Sequence, residues 1–565
     1  MAMAMAMGTA MDMGMKNSSI CLARMVCSIV TSFTFEAAFA QQGIPGSTIQ
    51  TDAASASGYA PPLANAGAGE QSSQPPRAIN IKPRIRLTET WSDNVAISGG
   101  QNGKESGFIT ELAPGIRVDA KTARLKAYFD YSLIGQFYST SSVKSRTQNA
   151  LNSFGTLEAV PNWLFLDFSG IIAQQAISAF GAQSPSNTSL NSNSTETSTY
   201  RLSPYIRGQL GSAVDYFLRY NWSTTQSNIS TASDIELGEW AGQLRGSTPF
   251  QSLKWSADAT RQTADYSKGR TTEAERMYAT ATYTIVPQLR VSFSGGRESN
   301  NYASQNMEAH PTYGYGFDWT PSERTQISAF KERRFFGNGH RYSVSQRFPL
   351  SSIRYSDTKD VSVLPNQFTS VGLGTIFDLF RQICSQQLSS IYTDPIQLDQ
   401  ASNTCANNLV SQSGVSPNAQ VTSSFLTSRA TVQRTQQLSL ALQGARNTLT
   451  LMLSRNQNQS ILASTAVSDD PLLNNSNSIR QRGITINLSH QLSPLSSINL
   501  TASRQESTGT GNSTLKAKSS TYQANLTSKI GVYTTVGISI RRSQSDNIGS
   551  PYTENALIGT IAVLF

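Results

Sequence analysis

Three histidines, His310, His340 and His490, are the only imidazoles of the chain. They stand far apart and without ligand spacing, so no metal centre is expected. No glycine-rich loop follows a strand and opens a helix to cradle a phosphate, and no cofactor is expected either. The one nucleophile beside a base is Ser489-His490, at the end of an alternating segment with His490 in phase with Leu488. A membrane-face hydrolase would need a partner acid as well, and none is apparent. A histidine facing an interface beside a turn is the plainer reading, so catalytic residues are not expected. The remaining chemistry is that of fixed charge. Lys126, Asp130, Asp215, Arg219, Arg290, Arg341, Arg347, Arg354 and Arg541 each occupy the polar phase of a segment in which apolar and polar residues alternate. If those segments enclose a lumen, these nine residues line it. An arginine-lined wall of low dielectric concentrates anions, which predicts a passage favouring acidic or anionic solutes. The competing reading has the same charges bracing the wall through ion pairs such as Lys126 with Asp130.

Composition restricts the frame that could hold such a wall. Of 565 residues, 38% are hydrophobic and 14% charged, with 23 Phe, 20 Tyr and 6 Trp. So many aromatics argue against a disordered chain. The charge is well below the roughly one quarter usual in soluble proteins. No apolar run is long enough for a membrane helix. The net charge of +9 is spread over the sequence rather than gathered in a patch, which speaks against nucleic-acid binding.

From Met15 the chain reads as an export leader. Lys16 and Arg24 give the positive region, Met25 to Phe35 the apolar stretch, and Ala38-Phe39-Ala40 a small-x-small site before Gln41. Residues 41–78 are Ala, Gly, Ser, Gln and Pro, the composition of a flexible periplasmic tail. Removing residues 1–40 leaves Cys384 and Cys405 in an oxidising compartment, where an even pair is expected to form a disulfide.

From Ile79 onward the period is two. Leu289, Val291 and Phe293 alternate with Arg290, Ser292 and Ser294; Ile484, Ile486 and Leu488 alternate with Thr485, Asn487 and Ser489. The runs last about ten residues, the length of a tilted strand crossing a bilayer. Short connections fall near Lys121, Pro161, Gly211, Pro249, Pro287, Pro321, Pro349, Ala445, Pro494 and Gly531. Longer Ser/Asn/Gly-rich segments lie between them, as at 139–147, 177–197, 226–233, 299–309, 462–478 and 507–515. Alternating short turns and long loops are the mark of an outer-membrane barrel. The expected fold is therefore all-β: an antiparallel up-and-down transmembrane barrel over 79–565, of about 22 strands (18–24), in the bacterial outer membrane. The terminal Phe565 closes an apolar strand, as in barrels read by the outer-membrane assembly machinery. A secreted solenoid or sandwich would want shorter strands in a regular repeat.

One insert, about 358–421, departs from the period. Ile376, Leu379, Phe380 and Ile383 follow helical spacing; after Asp394-Pro395, so do Leu398, Ala401, Cys405 and Leu409. Two short helices stapled by Cys384 and Cys405 are expected on the outer side. Because a barrel of this size encloses a wide hole, the stretch from Pro365 to Gln420 is expected to restrict it; a stapled surface loop is the alternative.

Several segments together resemble the PEP-CTERM system-associated outer membrane proteins: Ser92-Asp93-Asn94-Val95, Pro114-Gly115-Ile116, Asp130 to Gly135, Arg334-Phe335-Phe336-Gly337, Ile376-Phe377-Asp378-Leu379 and Ala445 to Leu449. The resemblance covers most of 79–565. It implies a barrel linked to exosortase and exopolysaccharide loci, acting in polymer secretion or envelope assembly, with outer-membrane lipid, the assembly machinery, polysaccharide and periplasmic export components as partners. It brings no catalytic residues. A scaffold or anchor for an export complex, working through its loops, is the competing function.

Overall fold

The computed structural model describes residues 78–565 apart from 98–103, 141–143, 183, 185, 187–191, 212, 230–232, 364–428, 462–477, 511–514 and 548–550. The leader, nearly all of the tail, the two expected helices and both paired cysteines lie outside the described residues.

Alternation turns directly into strands, because each segment can bury one face and expose the other. In chain order they are β1 (Ile79–Ser92), β2 (Gly107–Lys121), β3 (Leu125–Tyr138), β4 (Arg146–Val160), β5 (Leu164–Ala176), β6 (Ser194–Leu210), β7 (Val214–Ser227) and β8 (Ile235–Ser247). There follow β9 (Leu253–Tyr266), β10 (Thr272–Val286), β11 (Leu289–Asn300), β12 (Glu308–Ser322), β13 (Thr325–Arg334), β14 (Gly337–Phe348) and β15 (Ser351–Ser362). The last are β16 (Thr431–Gln443), β17 (Asn447–Ser460), β18 (Ser478–Ser493), β19 (Ser496–Thr510), β20 (Lys516–Lys529), β21 (Thr534–Asp546) and β22 (Tyr552–Leu564).

Each strand pairs antiparallel with the next, and β1 pairs with β22 from Arg84↔Leu564 to Ser92↔Ala556. The sheet is thus a closed ring of 22 strands, the number the turns imply. Phe565 extends the seam: its backbone N–H donates to the Pro83 carbonyl at 2.8 Å while its ring stays 68% exposed. Closure leaves no unpaired edge, the condition for β-structure to stand in lipid. Strand lengths run from 10 residues in β13 to 17 in β6. A crossing needs ~9–11 residues, so many strands project beyond the bilayer.

That projection takes in the start of the expected insert. β15 continues to Ser362, whose register partner Thr431 begins β16, so 358–362 are paired strand, while the far end of the expected 358–421 span lies outside the described residues. A second departure from expectation is on the long-loop side. β13 and β14 are joined by Phe335-Phe336 alone, with Arg334 opposite Gly337. Gly337 has φ of 100°, a conformation that a side chain would strain, and this permits the tight reversal.

Outward positions form an apolar band. On β3 they include Phe129, Leu133 and Phe137, exposed, against buried Tyr128, Asp130, Ser132, Ile134 and Gln136 inside. Exposed Trp163, Phe250, Trp319 and Tyr533 border the band on the turn side, and Trp91, Phe108, Trp240 and Tyr313 on the loop side. Apolar outer band, aromatic girdles and polar interior together make this an outer-membrane barrel. Among the described residues no helix is long and apolar enough to cross a membrane. β1 begins and β22 ends on the short-turn side, which is the periplasmic side of such barrels.

Candidate functional site

The lumen is built from register: partners across a strand pair share a face, so one buried inward residue fixes the phase of its neighbours. By this rule all nine residues singled out in the sequence lie on the inward face. The structure does not gather them into one site.

Asp130 is held by three inward groups. Arg117 donates from Nε at 3.1 Å and Nη2 at 2.9 Å, the Tyr128 hydroxyl donates at 3.0 Å, and Arg84 makes a further ion pair. Lys126 is not among these partners and makes no ion pair among the described residues, so the expected Lys126–Asp130 brace is replaced by Arg84–Asp130–Arg117. Register decides this: Arg117 stands directly opposite Asp130, whereas Lys126 lies four residues, two pleat repeats, along β3 towards the mouth. Arg219 pairs with Asp167 at 2.7 Å and lies over the Tyr205 ring at 5.3 Å. Asp215 accepts from Gln209 at 3.0 Å. Arg541 meets Glu554 at 3.1 Å, both almost wholly buried. Arg290 is inward on β11, its Nε without a hydrogen-bond partner among the described residues. Arg341, Arg347 and Arg354 come from the adjacent strands β14 and β15.

Several lumenal groups escape the sequence reading. Arg276 pairs with Glu332 at 2.6 Å, and Arg334 joins Glu298 at 2.9 Å and also Asp360. These residues come from β10, β11, β13 and β15, and only register reveals that they meet. The signal available in the sequence was their phase: each continues the polar side of its strand. The pairs neutralise much of the charge that would have selected for anions.

Unpaired positive charge is instead concentrated at the turn-side mouth. Lys82, Arg86, Lys126, Arg245, Lys254 and Lys529 occupy inward positions close to the short turns. None of the six makes an ion pair among the described residues. A basic rim of this kind makes the electrostatic potential at that mouth positive.

The wall from β16 to β20 is different. Its inward positions are Thr, Ser, Gln and Asn with a few small or apolar residues, and Lys529 at the rim is the one charged residue on that face. Asn487 Nδ2 donates to Thr501 Oγ1 at 2.9 Å, and Gln523 Nε2 to Asn525 Oδ1 at 2.8 Å. Together these side chains give the inner face an amide and hydroxyl surface.

At the loop-side end, Ile235, Leu237, Ala264, Tyr266 and Tyr302 pack with Val363 and Ala430, and Phe335 lies against them. The Tyr302 ring lies tilted against Phe335, centroids 5.7 Å apart, and its hydroxyl donates to Gln262 at 3.2 Å. Tyr266 lies on β9 and Val363 just beyond β15, with five strands between them, so this cluster bridges the mouth rather than following the wall.

Ser489 and His490 do not form a dyad. As consecutive residues of β18 they face opposite sides; Ser489 is opposite Thr448 inside and His490 contacts Asn447 outside, Nδ1 to Oδ1 2.6 Å.

No family model matches the chain, and no curated protein matches it. Solved structures resemble it distantly. The apoprotein form of the FrpB iron transporter from Neisseria meningitidis matches with a TM-score of 0.47 at 9% identity, over 86% of this chain and 81% of that one. BauA, the ferric preacinetobactin receptor from Acinetobacter baumannii, gives 0.44 at 10% identity, over 86% and 80%. The siderophore receptor PirA from Pseudomonas aeruginosa gives 0.41 at 8% identity, over 86% and 80%.

Proposed function

We propose that the barrel is an outer-membrane conduit for a hydrophilic, hydroxyl-bearing polymer of the exopolysaccharide type, restricted at its loop-side mouth. The observation that carries this reading is the amide and hydroxyl wall of β16 to β20. Sugar hydroxyls exchange hydrogen bonds readily with such groups, and many weak contacts let a chain move where one strong ion pair would hold it. The basic rim at the turn side gathers acidic chains from the periplasm. The Arg–carboxylate pairs of the remaining wall serve as braces. Tyr266, Tyr302, Val363 and Ala430 narrow the loop side, packed in a cluster that crosses the mouth. This agrees with the resemblance to PEP-CTERM system-associated proteins.

The experiment is current recording from single purified barrels in a planar bilayer, with an acidic oligosaccharide added to the turn side. Transient blockades that become rarer when Lys126, Lys254 and Lys529 are changed to Gln support the reading. An open current unaffected by the oligosaccharide would overturn it.

A further inference from the structure

The phase that carries Leu453 on β17 and Ile484 and Ile486 on β18 points to lipid. Continued towards the loops, that phase carries no further aliphatic residues. It carries Arg455, Arg480 and Arg482, flanked by Arg434 on β16 and Arg504 on β19. Arg455 and Arg482 are direct register partners, and Arg455 lies within electrostatic reach of Arg480, Arg482 and Arg434. Like charges directly opposite in a sheet are destabilising, so this arrangement calls for an anion.

The chain supplies few. Arg434 is satisfied by Asp357, Nε to Oδ1 3.0 Å and Nη2 to Oδ2 2.6 Å, and Asp357 also lies within electrostatic reach of Arg455. Glu506, the register partner of Arg482 on β19, is engaged by Lys516 at 3.2 Å, so that carboxylate is shared between Lys516 and Arg482. Arg455, Arg480, Arg482 and Arg504 make no ion pair among the described residues. The charge is also directional. Across the barrel the same outward, loop-side level carries Glu196, Glu236, Asp265, Glu273 and Glu275, with Arg261 paired to Glu275 at 3.4 Å.

Height identifies the partner. From Leu492 near the turn to Ile484, eight residues at ~3.4 Å and a tilt of about 40° rise roughly 20 Å. An apolar band is ~25 Å tall, so the arginines stand where the outer leaflet places its head groups. We infer that this outward tier is a docking surface for the phosphorylated head groups of outer-leaflet glycolipid. The guanidinium fork matches phosphate oxygens in bidentate pairs, and the long stems lie along the apolar wall below. The inference rests on the membrane-spanning barrel and is independent of what passes through the lumen.

Native mass spectrometry of folded protein in detergent tests it, with diphosphoryl lipid A, its dephosphorylated form and inorganic phosphate as probes. Wild type retains the diphosphoryl lipid. Arg455→Gln with Arg480→Gln and Arg482→Gln binds it at least tenfold more weakly, the matching triple Lys variant keeps most of the binding, and Arg261→Gln on the acidic flank binds as wild type. Heat-modifiable migration confirms that each variant is folded. Equal retention by the Gln triple, equal binding of dephosphorylated lipid, displacement by millimolar inorganic phosphate, or pairing of two barrels through this face in place of lipid would each overturn the inference.

Discussion

The hydroxyl of Tyr266, at the end of β9, donates a hydrogen bond of 2.7 Å to the carbonyl of Val363, just beyond β15. This bond ties one side of the loop-side mouth to the point where the chain enters 364–428, and its donor is buried among Ile235, Leu237 and Tyr302. Tyr266→Phe keeps the ring and removes the donor, leaving a buried carbonyl unpaired at a cost of about 1–3 kcal/mol. The expected outcome is an unchanged barrel with a looser mouth, seen as more frequent full openings in single-channel records. A variant with wild-type gating statistics would show that the cluster does not restrict passage.

A second prediction concerns the seam. Glu554 on β22 receives Arg541 from β21 and Ser92 Oγ from β1 at 3.0 Å, all in a buried setting. Arg541→Met strands a buried carboxylate, and breaking such a pair costs about 3–5 kcal/mol. The temperature at which the folded, fast-migrating band converts to the unfolded one should fall. Adding Glu554→Gln should restore most of it, since the orphaned charge is then gone. Failure of the second change to rescue would assign the loss to packing instead.

Legibility in the sequence followed physical locality. The period of two and the ten short turns depend on neighbouring residues, so β17 and β18 and the turn at Pro494 could be read directly. Partner choice depends on register between strands, which is why Asp130 was matched with Lys126 when Arg84 and Arg117 are its partners. The two-residue reversal at Phe335-Phe336 was hidden because it rests on the backbone conformation of Gly337. The outward arginines were legible in principle: Arg480 and Arg482 continue the phase of Ile484 and Ile486. Charge in a barrel strand reads as lumenal until its phase is followed.

The basic rim yields a third prediction. Lys82→Gln, Lys126→Gln and Lys254→Gln together remove three inward charges at the turn side while leaving every ion pair among the described residues intact. Under a salt gradient the reversal potential of wild type should indicate anion preference, and that of the triple variant should move towards zero. An unchanged potential would place selectivity elsewhere along the lumen.

The central claim, a restricted conduit, is tested most directly by the single-channel conductance of the full chain against a deletion of 364–428. Ser362 and Thr431 are register partners, so Val363 and Ala430 can close as a short turn between them without disturbing β15 or β16. The predicted result is a small or intermittent conductance in the full chain and a large, steady one in the correctly assembled deletion. Equal conductance in the two, or none in either, would contradict the conduit and favour a barrel that serves as a scaffold.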